Sequence, residues 1–388
     1  MKKLALMMSL MLVAGVCFAE SRIMTGAESV DEYLPMLKGK RVALLSNQTG
    51  IITPDKHVLD TLIALDVNVV SIFSPEHGFR GTADAGEIVN SSVDEKTGVP
   101  IRSLYDGKGG VSQEVIDEFD VLVFDLQDVG CRFYTYNATM ARMMAVCAKN
   151  GKKMIVLDRP NPIGFYVDGP ILDMKYKSGV GYLPIPVCHG MTLGELAMMI
   201  NGEKWLPDGA QCDLVVIRCK NYTHQSKYVL PVKPSPNLPD MRSIYLYPSM
   251  CYFEATPVSL GRGTAWAFEM YGHPNMKGYK FSFTPKSIPG AKYPPQLNKK
   301  CYGVDLRKKP SIDQINEAGI NLEYIIDAYN NLNLDDHFFR SFFELLIGRD
   351  YVRKMIKQGK SAAEIKAMWA DDVAKFKTQR KPYLLYAE

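Results

Sequence analysis

The feature that most constrains this chain is an alternation, between Lys40 and about Tyr222, of short apolar β-branched runs with stretches of helical spacing. Residues 41–46 form an apolar run, 57–65 carry apolar residues every three or four positions, and 67–73 are β-branched again. Residues 121–124 and 154–157 read as two more buried strands, with a helix over 135–148 between them. Thr192-Leu-Gly-Glu195 is a capping box that opens a further helix, and 212–217 supply another strand. Runs that are apolar throughout, rather than at every second residue, belong to strands covered on both faces. The expectation is an α/β fold with a mostly parallel sheet and helices on both sides.

With 388 residues the chain exceeds the roughly 250 to 300 at which single cores stop growing, so two domains are expected. After Tyr228 the pattern changes. Pro231, Pro234, Pro236 and Pro239 crowd into nine residues, which suits an extended connector. Strands near 266–270 and 280–283 follow, then helical stretches at 312–332 and 338–347 and a last helix opened by Ser361-Ala-Ala-Glu364. That mixed order predicts a smaller α+β domain over 231–388, after an α/β domain over 20–230.

Residues 1–19 read as a secretory signal peptide: Lys2 and Lys3, an apolar core too short to span a bilayer, then small residues at Cys17 and Ala19 with cleavage after Ala19. Lipid attachment at Cys17 is the rival reading, weakened by the bulky Val16 before it. A protein exported across the inner membrane, and periplasmic, is expected. The formal charge is +4, two units of it from Lys2 and Lys3, so neither nucleic acid nor a polybasic membrane surface is an indicated partner. Of eight cysteines seven follow the signal, with no regular spacing; most read as buried thiols, and a Cys212–Cys219 disulfide is conceivable.

In open parallel sheets ligands bind beyond the carboxyl ends of the strands, where loops converge. Polar residues cluster at five such expected ends: Ser46-Asn47-Gln48-Thr49-Gly50, Ser74-Pro75-Glu76-His77-Gly78-Phe79-Arg80-Gly81, Asp125-Leu-Gln127-Asp128 running on to Arg132 and Tyr134, Asp158-Arg159-Pro160-Asn161, and His189-Gly190. Glu76 follows a buried strand and a proline, with His77 beside it. A carboxyl so placed, partly withdrawn from water, could hold a proton and hand it to a leaving oxygen. The bland alternative is an ion pair with Arg80 that only orders the loop. In the second domain Glu254, Thr256, Ser259 and the Gly261-Arg262-Gly263 step resemble a ligand loop, and Glu254 could be the second carboxylate that glycoside hydrolysis needs. Its bland alternative is an ion pair with Arg262.

Other chemistries find less support. The histidines and aspartates near the strand ends form no HExxH or paired-cysteine pattern, so no metal is expected. There is no G-x-S-x-G elbow, and the first strand is not followed by G-x-G-x-x-G, so neither a serine nucleophile nor a dinucleotide cofactor is called for. Tyr134, Tyr136, Tyr245, Tyr247, Tyr252 and Trp266 lie near the polar segments and could stack on sugar rings, though most should be core.

Taken together, Ser46–Gly50, Ser74–Gly78, Asp125–Asp128 with Arg132-Phe-Tyr134, Asp158–Pro162, and Glu254-x-Thr256 with Gly261-Arg-Gly263 resemble the exo-acting β-N-acetylmuramidases of the NamZ type, over nearly the whole mature chain. The resemblance implies a Rossmann-like domain with a smaller C-terminal domain completing a cleft, and removal of terminal β-linked N-acetylmuramic acid from peptidoglycan fragments. It points to Glu76 as the leading catalytic residue, with Glu254 and His77 beside it and no cofactor. Asn47, Gln48, Arg80, Asp125, Gln127, Arg132, Tyr134, Asp158, Arg159, Asn161, His189 and Arg262 are the expected substrate-binding residues. Muramic acid carries a lactyl carboxylate that an Arg can grip, and Arg262 or Arg132 is the expected partner. Two rival readings are a periplasmic muropeptide- or sugar-binding protein without catalysis, and a metal-dependent hydrolase.

Overall fold

Along the strand Val42–Ser46 (β1), Val42 and Leu44 pack into one apolar cluster and Ala43 and Leu45 into another, because side chains alternate across a pleated strand. The same split recurs at Val121 and Val123 against Leu122 and Phe124, and at Ile155 and Leu157 against Met154 and Val156. An apolar layer on each face demands a cover on each face, and that is why these runs read as apolar throughout. The computed structural model describes residues 22–76, 78–80, 87, 91–104 and 110–388. The expected signal peptide and His77 lie outside them.

The main sheet has seven strands: β1, Val69–Ser74 (β2), Ser92–Val93 (β3), Pro100–Ser103 (β4), Val121–Asp125 (β5), Lys153–Leu157 (β6) and Asp213–Ile217 (β7), in the order β3-β4-β2-β1-β5-β6-β7. All pairings are parallel except that of β3, which closes one edge antiparallel to β4. The chain starts mid-sheet, builds outward through β2 and β4, and then returns to the other side of β1 for β5 to β7. Loops after β1 and β5 therefore part in opposite directions, which opens a crevice at their carboxyl ends. Helices Val30–Leu37 and Val58–Ala64 cover one face, and Tyr136–Lys149 and Leu193–Gly202 the other.

The C-terminal region combines helices with a three-stranded antiparallel sheet of Met270–His273 (β8), Phe281–Phe283 (β9) and Cys301–Asp305 (β10), ordered β8-β10-β9. β10 lacks a readable period because Gly303 stands at its centre opposite Gly272; a Cβ on Gly303 would lie 1.9 Å from the Tyr271 carbonyl oxygen. The expected strand over 266–270 begins only at Met270, since Gly261, Gly263 and Phe268 hold positive φ and turn the chain. The expected helix over 312–332 is two, Ile312–Ala318 and Glu323–Leu332, parted at Gly319 with φ +61.

One apolar cluster runs without a break from the inner sheet face into this region. Phe133 meets Tyr247 and Tyr252 edge-on, with ring centroids 5.1 and 5.9 Å apart. Rings this buried contribute about 1.5–3 kcal/mol each by area alone, so the two halves share a core and the space between them has firm walls. The seven described cysteines are all free and buried; Cys219 donates to the Asp158 carbonyl and is not joined to Cys212. Among the described residues no helix is long and apolar enough to cross a membrane.

Candidate active site

β2 delivers its last residues to the sheet's carboxyl rim, where Pro75 and Gly78 close a turn: the Gly78 N–H donates to the Pro75 carbonyl at 3.0 Å, and Gly78 holds φ +75. Glu76 sits inside that turn, half-buried. Thr135, at the amino end of helix Tyr136–Lys149, makes no capping bond with its hydroxyl; instead Thr135 Oγ1 donates to Glu76 Oε2 at 2.7 Å. The guanidinium of Arg80 pairs with Asp94 and lies 5.1 Å from the Phe79 ring centroid. Arg80, expected among the substrate-binding residues, thus has Asp94 as an ion-pair partner while most of its side chain stays exposed.

Glu254 stands on the 3₁₀ turn Cys251–Ala255 that follows helix Met241–Met250. Arg262, held between Gly261 (φ +86) and Gly263 (φ +81), donates from Nη2 to Glu254 Oε1 at 2.5 Å. Burial pulls the Arg262 guanidinium down, and the charge and hydrogen bond of Glu254 more than restore it, so it stays a cation. Its Nε is buried without an acceptor among the described residues. The ion pair expected as the bland reading of Glu254 is thus present, but both partners face open space.

Glu76 and Glu254 line one cavity, together with Thr135, Asn237, Tyr247 and Arg262. It measures about 70 Å³, room for about two waters or one sugar substituent. Glu254 and Arg262 also form the inner wall of a wider basin of about 640 Å³, within the roughly 300–1,000 Å³ of small-molecule clefts. A hexosamine ring has its room there, and the cavity that Glu76 lines shares the Glu254 and Arg262 wall. Phenols around the inner cavity, Tyr134, Tyr136 and Tyr247, are pushed well up by burial and remain neutral hydroxyls.

Most other expected binding residues form a buried scaffold beneath the rim. Asn47 donates to the Tyr136 hydroxyl at 2.7 Å and accepts from the Thr49 N–H and hydroxyl. Asp125 pairs with Arg159 Nε at 2.6 Å, both nearly without exposure. Gln127 donates to the carbonyls of Asp128 and Pro160, and Asn161 to that of Met191. Asp158 accepts from Thr192, Tyr386 and the Gly194 N–H, tying helix Leu193–Gly202 and the chain's end to β6; burial pushes its carboxyl up to about 6 despite those donors. Gln48 reaches the carbonyls of Lys233 and Pro234, and Tyr134 that of Pro234 as well, fixing the proline-rich connector over the rim.

Two placements correct the sequence reading outright. Arg132 is fully buried and donates to the carbonyls of Pro170, Ile185 and Leu346, so no substrate carboxylate can reach it. His189 follows no strand but a loop bridged to Cys131 and Asp168; it is fully buried, accepts from the Met191 N–H at Nδ1, and leaves Nε2 without an acceptor among the described residues. Sequence reasoning missed Thr135 and Asn237. Their signal lay in position alone: one next to the Arg132–Tyr134 motif, the other inside the connector.

Family models match almost the entire described chain: "Exo-beta-N-acetylmuramidase NamZ, N-terminal" over residues 42–242 and "Exo-beta-N-acetylmuramidase NamZ, C-terminal" over 245–386. The chain is 38% identical over 385 residues to the peptidoglycan beta-N-acetylmuramidase NamZ of Bacillus subtilis, covering 94% of this chain and 92% of that one. A crystal structure of a DUF1343 family protein from Bacteroides fragilis is 61% identical with a TM-score of 0.89, covering 95% of this chain and 100% of that one. A second from the same organism is 31% identical with a TM-score of 0.79, covering 94% and 99%.

Proposed function

The chain belongs to the exo-β-N-acetylmuramidase NamZ family, and from that premise we propose that it releases terminal β-linked N-acetylmuramic acid from peptidoglycan fragments with Glu76 as proton donor and Glu254 as its partner. It is a glycosidase that acts on peptidoglycan-derived glycans. The observation that carries the assignment of residues is that two carboxyl groups, one from each half of the chain, line a single cavity that opens on a sugar-sized basin.

Each acid has a described hydrogen-bond partner. Glu76 has a neutral hydroxyl, that of Thr135, as a described partner, and Glu254 has a guanidinium. Glu76, held by Thr135 at the rim of the cavity, is assigned the proton for the glycosidic oxygen, and Glu254 the anomeric carbon, as nucleophile or as base for the attacking water. The carbon–oxygen bond breaks as the proton arrives, so the leaving sugar departs as a neutral alcohol. Arg262, already a cation at the basin wall, is the residue suited to grip the lactyl carboxylate that separates muramic acid from glucosamine. His77 stays a proposed neighbour of Glu76.

The amino-terminal sequence supports export across the inner membrane and a periplasmic site of action, where such glycans arise. Product analysis tests the reaction directly. Incubation with a short glycan ending in N-acetylmuramic acid should release the free monosaccharide from that end, and recovery of intact glycan bound to the protein would favour a binding protein instead.

A further inference from the structure

The basin outside the acid pair has a far wall that catalysis does not use. It is built by the turn Gly290-Ala-Lys-Tyr-Pro-Pro295, and on it Tyr293 stands 88% exposed. A lone exposed aromatic is ordinary on a surface. This one differs in lining the same basin as Glu254 and Arg262, and in standing on a turn whose backbone is tied down.

The restraint begins with sequence. Two prolines follow Tyr293, and the residue before a proline is confined to extended backbone. Gly290, with φ +82, lies so close to Pro236 that a Cβ there would be 2.4 Å from it, and its carbonyl accepts from Asn237 Nδ2 at 2.8 Å. Asn237 lines the inner cavity, so the turn is tied to the wall around Glu76. Pro294 packs on the Arg262 loop, where a Cβ on Gly263 would meet its Cγ at 2.6 Å. Across the basin Lys292 Nζ donates to Glu87 Oε1 at 2.6 Å. A backbone tied down in this way presents the Tyr293 side chain from a fixed point of the basin lining, so little main-chain freedom is lost when a partner arrives.

Resting on the function proposed above, we propose that Tyr293 is the platform of a leaving-group subsite, stacking on the C–H face of the hexosamine to which the terminal muramic acid is joined. The terminal muramic acid belongs against Glu254 and Arg262, and the glycan beyond it runs on along the same basin, which Tyr293 also lines. A sugar's axial C–H groups fit the negative face of a phenol ring, and the ring's exposure leaves that face available.

The test compares two substrates that share a terminal muramic acid: the β-1,4-linked disaccharide with N-acetylglucosamine, and the methyl β-glycoside, which has no second ring. Tyr293→Ala should lower the ratio of their kcat/KM values by about tenfold, mainly through KM of the disaccharide, and Tyr293→Phe, which keeps the ring face, should restore it. The side chain is exposed, so neither variant threatens the fold. An unchanged ratio in Tyr293→Ala, or an equal fall in Tyr293→Phe, overturns the subsite while leaving the reaction assignment intact. Wild-type protein that cleaves neither substrate overturns the functional reading and the subsite together.

Discussion

Thr135 Oγ1 donates to Glu76 Oε2 at 2.7 Å, joining residues 59 apart in sequence across the carboxyl ends of strands on either side of β1. The bond fixes where the acid points. It also explains why Thr135, at a helix start, makes no capping bond of its own. Thr135→Val keeps the shape and removes the donor, so kcat should fall about tenfold with KM little changed, and Thr135→Ser should recover most of the loss. Steady-state kinetics of the two variants decide it; a loss carried by KM alone would mean that Thr135 holds substrate rather than the acid.

Arg262 and Arg132 read alike in the sequence, each in a motif loop, and the fold places them differently, Arg262 on the basin wall and Arg132 fully buried. Arg262→Gln should lower the preference for muramic over glucosamine substrates at least about tenfold, as the loss of a charge-assisted contact to the lactyl group. Arg132→Met should leave that preference alone and cost about 3 kcal/mol of stability, since the carbonyls of Pro170, Ile185 and Leu346 lose their donor in the interior. Competition between paired substrates, with chemical denaturation of each variant, checks both halves. A preference lost in Arg132→Met but kept in Arg262→Gln would reverse the assignment.

Asp158 makes stability depend on pH in an unusual direction. Burial raises its carboxyl from 3.8 to about 6, although Tyr386 and Thr192 donate to it. Between those values the folded chain keeps a proton that the unfolded chain has released, so this residue's contribution is full below about pH 4 and declines as pH rises to about 6. The advantage of the wild type over Asp158→Asn should therefore be larger at pH 4 than at pH 7, by on the order of 3 kcal/mol. Urea unfolding of both proteins at the two pH values gives the comparison, and an advantage that grows with pH would show that Asp158 is folded as a stabilised carboxylate.

How much of this was legible in the sequence follows from what each element leaves on the page. β1, β5 and β6 announce themselves because burial on both faces leaves little room for polar residues along them. β10 does not, because its central Gly303 has no side chain to show a period. Glu76 and Glu254 stand out in the sequence by residue type and position at a loop, but only the fold brings them to one cavity. The scaffold beneath them reads as binding surface in the sequence, because a polar residue that satisfies a buried neighbour, as Asp125 does for Arg159, looks the same in one dimension as one that awaits a ligand. Tyr293 gave no signal at all, since its standing depends on the basin that the folded chain creates around it.

The most direct measurement is the turnover of Glu76→Gln on a glycan ending in N-acetylmuramic acid. The amide keeps the shape of the side chain and the hydrogen bond from Thr135 but has no acidic proton, so release of free muramic acid should fall by at least ~10² while the unfolding midpoint stays put. Release at close to the wild-type rate would mean that the proton reaching the glycosidic oxygen comes from elsewhere, and the acid pair described above would not be the catalytic one.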